Sequence, residues 1–131
     1  MNGATPSLAQ QAIVLFSHGS RDPLWRAPIE AVAARIAAQH PERPVMCAYL
    51  ELSEPSLAQA VDQLVQRGAT AVTVVPMFLG TGKHARADLP VLVEQLRAAH
   101  PGVRLHVQPA VGEDPRITAL MAEIACELPP D

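Results

Sequence analysis

Four short apolar runs, each followed by a polar loop and then by a stretch with apolar residues every three or four positions, constrain this chain more than any other feature. The first run is AIVLFS at 12–17. It is continuous and contains β-branched residues, the pattern of a strand buried on both faces, and His18-Gly19-Ser20 ends it. From Pro23 to about residue 39, Ile29, Val32, Ala33, Ile36 and Ala37 fall at helical spacing, and His40-Pro41-Glu42-Arg43-Pro44 breaks the run. VMCAYLEL at 45–52 predicts a second strand. Ser53 or Ser56 is positioned to cap a second helix, whose apolar residues Leu57, Ala60, Val61, Leu64 and Val65 lead to a natural stop at Gly68. TAVTVVPMFL at 70–79 reads as the third strand. A loop at 80–84 and a helix over 85–99 follow, with Pro90 disturbing the helix's first turns. VRLHV at 103–107 reads as the fourth strand, and Glu113-Asp114-Pro115 leads a last helix to about residue 128.

This β-α-β-α-β-α-β-α order predicts an α/β fold with a four-stranded parallel sheet and helices on both faces. At 131 residues with no linker or composition break, one domain over 11–128 is expected, after a flexible segment at 1–10. An apolar share of 49% supplies a core and argues against disorder. The net charge of −3 lacks the basic footprint of a nucleic-acid binder. No run approaches the length needed to span a bilayer, and residues 1–10 lack the basic start and apolar core of a signal peptide. Cys47 and Cys126 read as reduced thiols. A cytoplasmic protein is expected, with neither nucleic acid nor membrane as partner.

Topology then sorts the polar residues. In open α/β sheets, ligands bind beyond the carboxyl ends of the strands. His18, Ser20 and Arg21 follow the first strand, Glu51 and Glu54 the second, and Lys83, His84 and Arg86 the third. His40 and His100 lie in loops at the opposite end and read as helix-end residues, while His106 sits inside the fourth strand. Two imidazoles and a carboxylate on one rim can hold a divalent ion with open positions, or move protons near neutral pH. Arg21, Lys83 and Arg86 can pair with an anionic substrate, although each alone also reads as a solvated loop charge. The loop GTGKH lacks the spacing of a phosphate-binding loop, so no nucleotide is expected.

Three blocks, HGSRDP at 18–23, YLELSEPSL at 49–57 and PMFLGTGKHARADLP at 76–90, resemble the small class II tetrapyrrole chelatases of the CbiX and SirB type. They occur in that family's order and spacing, and the resemblance runs over about residues 12–125. It implies a chelatase-like (flavodoxin-like) three-layer sandwich. It also implies ATP-independent insertion of a divalent metal into sirohydrochlorin, with Co2+ first and Fe2+ or Ni2+ in some members. The metal is then a substrate. The family's paired histidines map onto His18 and His84 and its acidic residue onto Glu51, with Glu54 as the alternative, so these are the expected catalytic and metal-binding residues. Ser20, Arg21, Lys83 and Arg86 are the expected substrate-binding residues. Many relatives carry two such halves with the macrocycle between them, and the short forms pair, so the resemblance implies a two-fold homodimer with facing rims. Residues 126–131 contain no histidine, and no tail-based metal store is expected. A histidine phosphatase is disfavoured because Ser17 stands where that chemistry requires an arginine before His18. A metal or tetrapyrrole carrier would use the same rim without turnover.

Overall fold

The computed structural model describes residues 7–130, and in it the first apolar run forms β1 (Gln11–Ser17), a strand paired on both sides. The remaining elements are α1 (Pro23–Gln39), β2 (Val45–Tyr49), α2 (Leu57–Gln66), β3 (Ala71–Pro76), α3 (Lys83–Ala99), β4 (Arg104–Val107) and α4 (Pro115–Ala125). Short 3-10 turns precede β1 and α4, at Leu8–Gln10 and Val111–Glu113. The sheet order is β2-β1-β3-β4 and every pairing is parallel, with Phe16 opposite Ala48 on one side and Pro76 on the other.

Strand alternation sends Val14 and Phe16 of β1, Ala48 of β2, and Val72 and Val74 of β3 into one core. Leu57, Ala60, Val61 and Leu64 of α2, with Ala85 and Leu96 of α3, fill the other side of it. The opposite face of β2 meets α1, where the Cys47 Sγ approaches the Ile29 carbonyl at 3.9 Å and the Trp25 and Tyr49 rings lie 6.5 Å apart. Helices therefore cover both faces of a four-stranded parallel sheet, as the alternation predicts.

Helix starts follow local chemistry. Asp22 accepts from the Leu24 N–H at 2.9 Å ahead of Pro23, and Asp114 accepts from the Arg116 N–H at 2.8 Å ahead of Pro115. Ser56, rather than Ser53, caps α2, in a reciprocal pair with Gln59. Strand β2 stops at Tyr49, short of residue 52, because its chain turns: the Tyr49 N–H donates to the Pro55 carbonyl and Leu52 takes a φ of 63°. Helix α3 begins two residues before the expected position, its first turn closed by the Arg86 N–H on the Gly82 carbonyl at 3.0 Å, and Pro90 is accommodated inside it. Of the segment expected to be flexible, residues 1–6 lie outside the described residues, and Leu8–Gln10 forms a turn closed by Ser7 and Gln10. Helix α4 ends at Ala125 and buries no residue. Among the described residues no helix is long and apolar enough to cross a membrane.

Leu64 is among the largest fully buried side chains and belongs to α2, which packs on β1 and β2. Leu64→Ala should lower the free energy of unfolding by about 2–5 kcal/mol, read by urea denaturation. A change below about 1 kcal/mol would mean that α2 is not the principal cover of this face.

Candidate functional site

Strand β1 ends at the buried Ser17, and the next residue, His18, emerges at the carboxyl rim of the sheet. Two backbone bonds extend the β1–β2 pairing beyond the strands: Leu50 N–H to the Ser17 carbonyl at 2.9 Å, and Glu51 N–H to the His18 carbonyl at 3.0 Å. Gly19 has a φ of 102°, and a Cβ there would collide with the Glu51 carbonyl. Only glycine permits that approach. The Ser53 hydroxyl completes the join, donating to the Ser20 carbonyl at 2.6 Å and accepting from the Ser20 N–H at 3.1 Å. The loops after β1 and β2 thus behave as one unit that sets His18 beside Glu51.

A stack of rings supports His18. Its imidazole lies on Phe78 with centroids 4.4 Å apart and planes 32° apart, and Phe78 meets Phe16 edge-on at 6.0 Å. Phe78 is buried, and its loop is held from behind by the turn before α4. There the Gly112 N–H donates to the Phe78 carbonyl at 2.9 Å, and a Cβ at Gly112 would strike the Leu79 backbone.

The third part of the site is the start of α3. Lys83 and His84 occupy its first turn, and Asp88, four residues after His84, lies one turn on and on the same side. Ala85 between them is buried and ties this turn to the core. His18, Glu51, Lys83, His84 and Asp88, with Leu50, Gly82 and Ala85, line a single cavity of about 570 Å³. The amino end of α3 adds its partial positive charge to that of Lys83, opposite the carboxylates of Glu51 and Asp88.

Four of the expected residues therefore meet: His18, Glu51, Lys83 and His84. Ser20, Arg21, Glu54 and Arg86 do not line this cavity. The Ser20 hydroxyl accepts from the Asp22 N–H at 3.1 Å and helps to start α1. Arg86 lines a different, mostly aliphatic groove of about 380 Å³ with Leu89, Val93, Arg97 and Val107. Two residues of helix turn it about 200° away from His84. Asp88 was not among the expected residues, although the interval from His84 to Asp88 is one helical turn. Among the described residues, no three His, Cys, Asp or Glu side chains form a group that could hold a metal ion. His18, His84 and Glu51 share a cavity without forming a closed coordination cluster.

The other titratable groups have structural settings. His100 Nε2 lies 2.7 Å from Asp62 Oδ1 and links the end of α3 to α2, and His40 ends α1. Under α1, burial raises the Cys47 thiol and pushes the Tyr49 phenol up to about 12, so both stay protonated near neutral pH.

The CbiX family profile matches residues 12–128. The chain belongs to the CbiX family. A sirohydrochlorin cobaltochelatase of Methanopyrus kandleri is 34% identical over 82 residues, which are 63% of this chain and 57% of that protein. A sirohydrochlorin ferrochelatase of Bacillus subtilis is 34% identical over 110 residues, which are 82% of this chain and 41% of that protein. The matches thus span about half the length of these two relatives. Among solved structures, a CbiX protein of Marinobacter aquaeolei superposes with a TM-score of 0.77 at 34% identity, covering 88% of this chain and 93% of the other.

In this CbiX chain the close approach at Gly19 fixes the spacing of two cavity residues. Gly19→Ala should destabilise the protein by more than about 1 kcal/mol and lower its thermal midpoint. An unchanged midpoint would show that the loops after β1 and β2 can separate freely.

Proposed function

We propose that this CbiX chain inserts a divalent metal ion into sirohydrochlorin without a nucleotide, with Co2+ the first candidate and Fe2+ or Ni2+ the alternatives. The observation that carries the reading is the cavity lined by His18, Glu51, His84 and Asp88, two imidazoles and two carboxylates on a single rim. The substrate class is supported by relatives described as a sirohydrochlorin cobaltochelatase and a sirohydrochlorin ferrochelatase. Their differing metals keep both ions in play, since imidazole and carboxylate accept several divalent metals.

Insertion exchanges one doubly charged ion for two pyrrole protons, so the site must both present a metal and receive protons. In this reading His18 and His84 hold the ion through ring nitrogens, His18 being oriented by its stack on Phe78. Glu51 and Asp88 flank them as proton acceptors, with Glu51 also within the ligand set. Lys83 and the amino end of α3 attract a peripheral carboxylate of the macrocycle. Arg21 and Arg86 lie outside the cavity lining and serve only a ring that extends past the rim; Ser20 acts through its loop. A sparse, open ligand set suits a reaction in which the protein must surrender its ion. The reading further includes a homodimer acting in the cytoplasm, the location supported by two cysteines that are both free.

His84→Ala should lower the initial rate of Co2+ insertion at limiting metal by at least about 100-fold, with an unchanged circular dichroism spectrum. The macrocycle's absorbance change reports the rate. Full activity in the variant would remove His84 from the mechanism, and a parent protein that stops after one turnover would be a carrier.

A further inference from the structure

Two leucines stand exposed on the carboxyl rim beside the cavity. Leu52 comes from the loop after β2, directly follows the lining residue Glu51 and is 53% exposed. Leu79 comes from the loop after β3, directly follows Phe78, the ring beneath His18, and is 67% exposed. A single exposed leucine is ordinary on a protein surface. Leu52 is not ordinary, because its backbone is strained. The Ser53 N–H donates to the Glu51 carbonyl at 2.8 Å, and Leu52 between them takes a φ of 63°. A three-residue turn with a left-handed central residue is rare and strained, and glycine fills such a position at less cost than leucine.

Both neighbours of Leu52 impose that turn. The Glu51 N–H is bonded to the His18 carbonyl, and the Ser53 hydroxyl holds the backbone of Ser20, so Leu52 must turn between two fixed points. Leu79 has a similar setting: Gly112 lies so close to its backbone that a Cβ there would collide, yet the Leu79 side chain is left in water. In both places the main chain is held and a large apolar side chain is displayed. Strain at a side chain that is not buried within its own chain points to a contact with another molecule. By strand order, the end of β1 and His18 with it lie between the loops that carry these two leucines.

We propose that Leu52 and Leu79 form an apolar platform for the flat face of the macrocycle, with the imidazole of His18 between them. The chemistry of the rim selects this occupant. A tetrapyrrole has a broad apolar face and carries its carboxylates at the edge, so it needs apolar contact beneath and positive charge beside. The leucines supply the first, and Lys83 with the amino end of α3 supplies the second. A free metal ion gains nothing from leucine. These side chains carry no ligand atom, so they govern affinity for the ring and not for the ion. The inference rests on the function proposed above and adds to it the residues that hold the ring as distinct from the metal.

The test is titration of the full chain with metal-free sirohydrochlorin, followed by the ring's absorbance, beside thermal unfolding. Leu52→Gly should weaken ring binding by about tenfold, the loss expected when one leucine side chain goes without burial. Its thermal midpoint should not fall, because glycine relieves the turn. Leu52→Met restores an apolar side chain and should bind nearly as well as the parent. Leu79→Ser, at a mostly exposed side chain, should also weaken binding by about tenfold with an unchanged midpoint. Parent affinity in Leu52→Gly or in Leu79→Ser, a methionine variant as weak as the glycine one, or a fallen midpoint overturns the platform. So does a variant whose mass by sedimentation velocity differs from the parent's, since the leucines would then serve a contact between copies. A parent chain that binds no sirohydrochlorin overturns the proposed function together with the platform. A parent that binds and metallates the ring, with variants that bind it equally well, overturns the platform alone.

Discussion

Strand β1 is hydrogen-bonded on both edges, and the chain leaves it in opposite directions. It passes first to β2 on one side, then returns over the sheet to β3 on the other. Where the order reverses, the loops after neighbouring strands diverge and a crevice opens above the carboxyl ends. His18 stands on the end of β1 itself, Glu51 comes from the β2 side and His84 from the β3 side. The cavity is thus a consequence of strand order, and strand order follows from a run of residues 12–17 with no side that tolerates water.

Much of this was legible beforehand, for a physical reason. Strand and helix periods differ, so apolar spacing alone separates the elements, and a residue directly after a buried strand must lie on the rim. His18 is located that way, while Glu51 reaches the rim because β2 ends at Tyr49, earlier than its apolar run suggests. The residues on α3 were harder, because a helix imposes a phase as well as a place. With residues 80–84 read as loop and the helix begun at 85, Lys83, His84 and Arg86 all fall in one polar cluster. Once α3 starts at Lys83, the phase is set: His84 and Asp88 share a side and Arg86 points elsewhere. A shift of two residues at a helix start therefore exchanged one site residue for another. Ser53 shows the same limit at shorter range. It stood as a possible helix cap, yet its hydroxyl spends both hydrogen-bonding roles on Ser20, a partner 33 residues away that no local pattern announces.

The site combines rigid support with an open centre. Below, Phe16, Phe78 and the His18 ring form a stack, and Gly19 allows the Glu51 carbonyl to come close. Above, the titratable side chains stand around the cavity without closing on one another into a metal-holding group. These properties answer different demands. A group that presents an ion must be placed before the ion arrives, which favours a backbone frame that cannot drift. A group that releases the ion must not complete a full coordination shell, since closed four-ligand sites are the structural kind. In this chain the frame is supplied by backbone bonds and aromatic contact, and in the proposed function the grip is left to few ligands.

The amphipathic stripe of α4 raises a different point about what a pattern means. Apolar residues at helical spacing state that a surface will be covered; they do not state by which molecule. For α2 the answer lies within the chain, because Leu57, Ala60, Val61 and Leu64 join the core where α2 packs on β1 and β2. For α4 the same pattern stays exposed among the described residues. The segment between β4 and α4 gives that difference a bearing on the site. Gly112, which bonds the Phe78 carbonyl and lies too close to Leu79 for any side chain, belongs to the turn from which α4 departs. The same turn thus holds the ring beneath His18 and starts α4. The floor of the cavity and the start of α4 therefore share one piece of backbone.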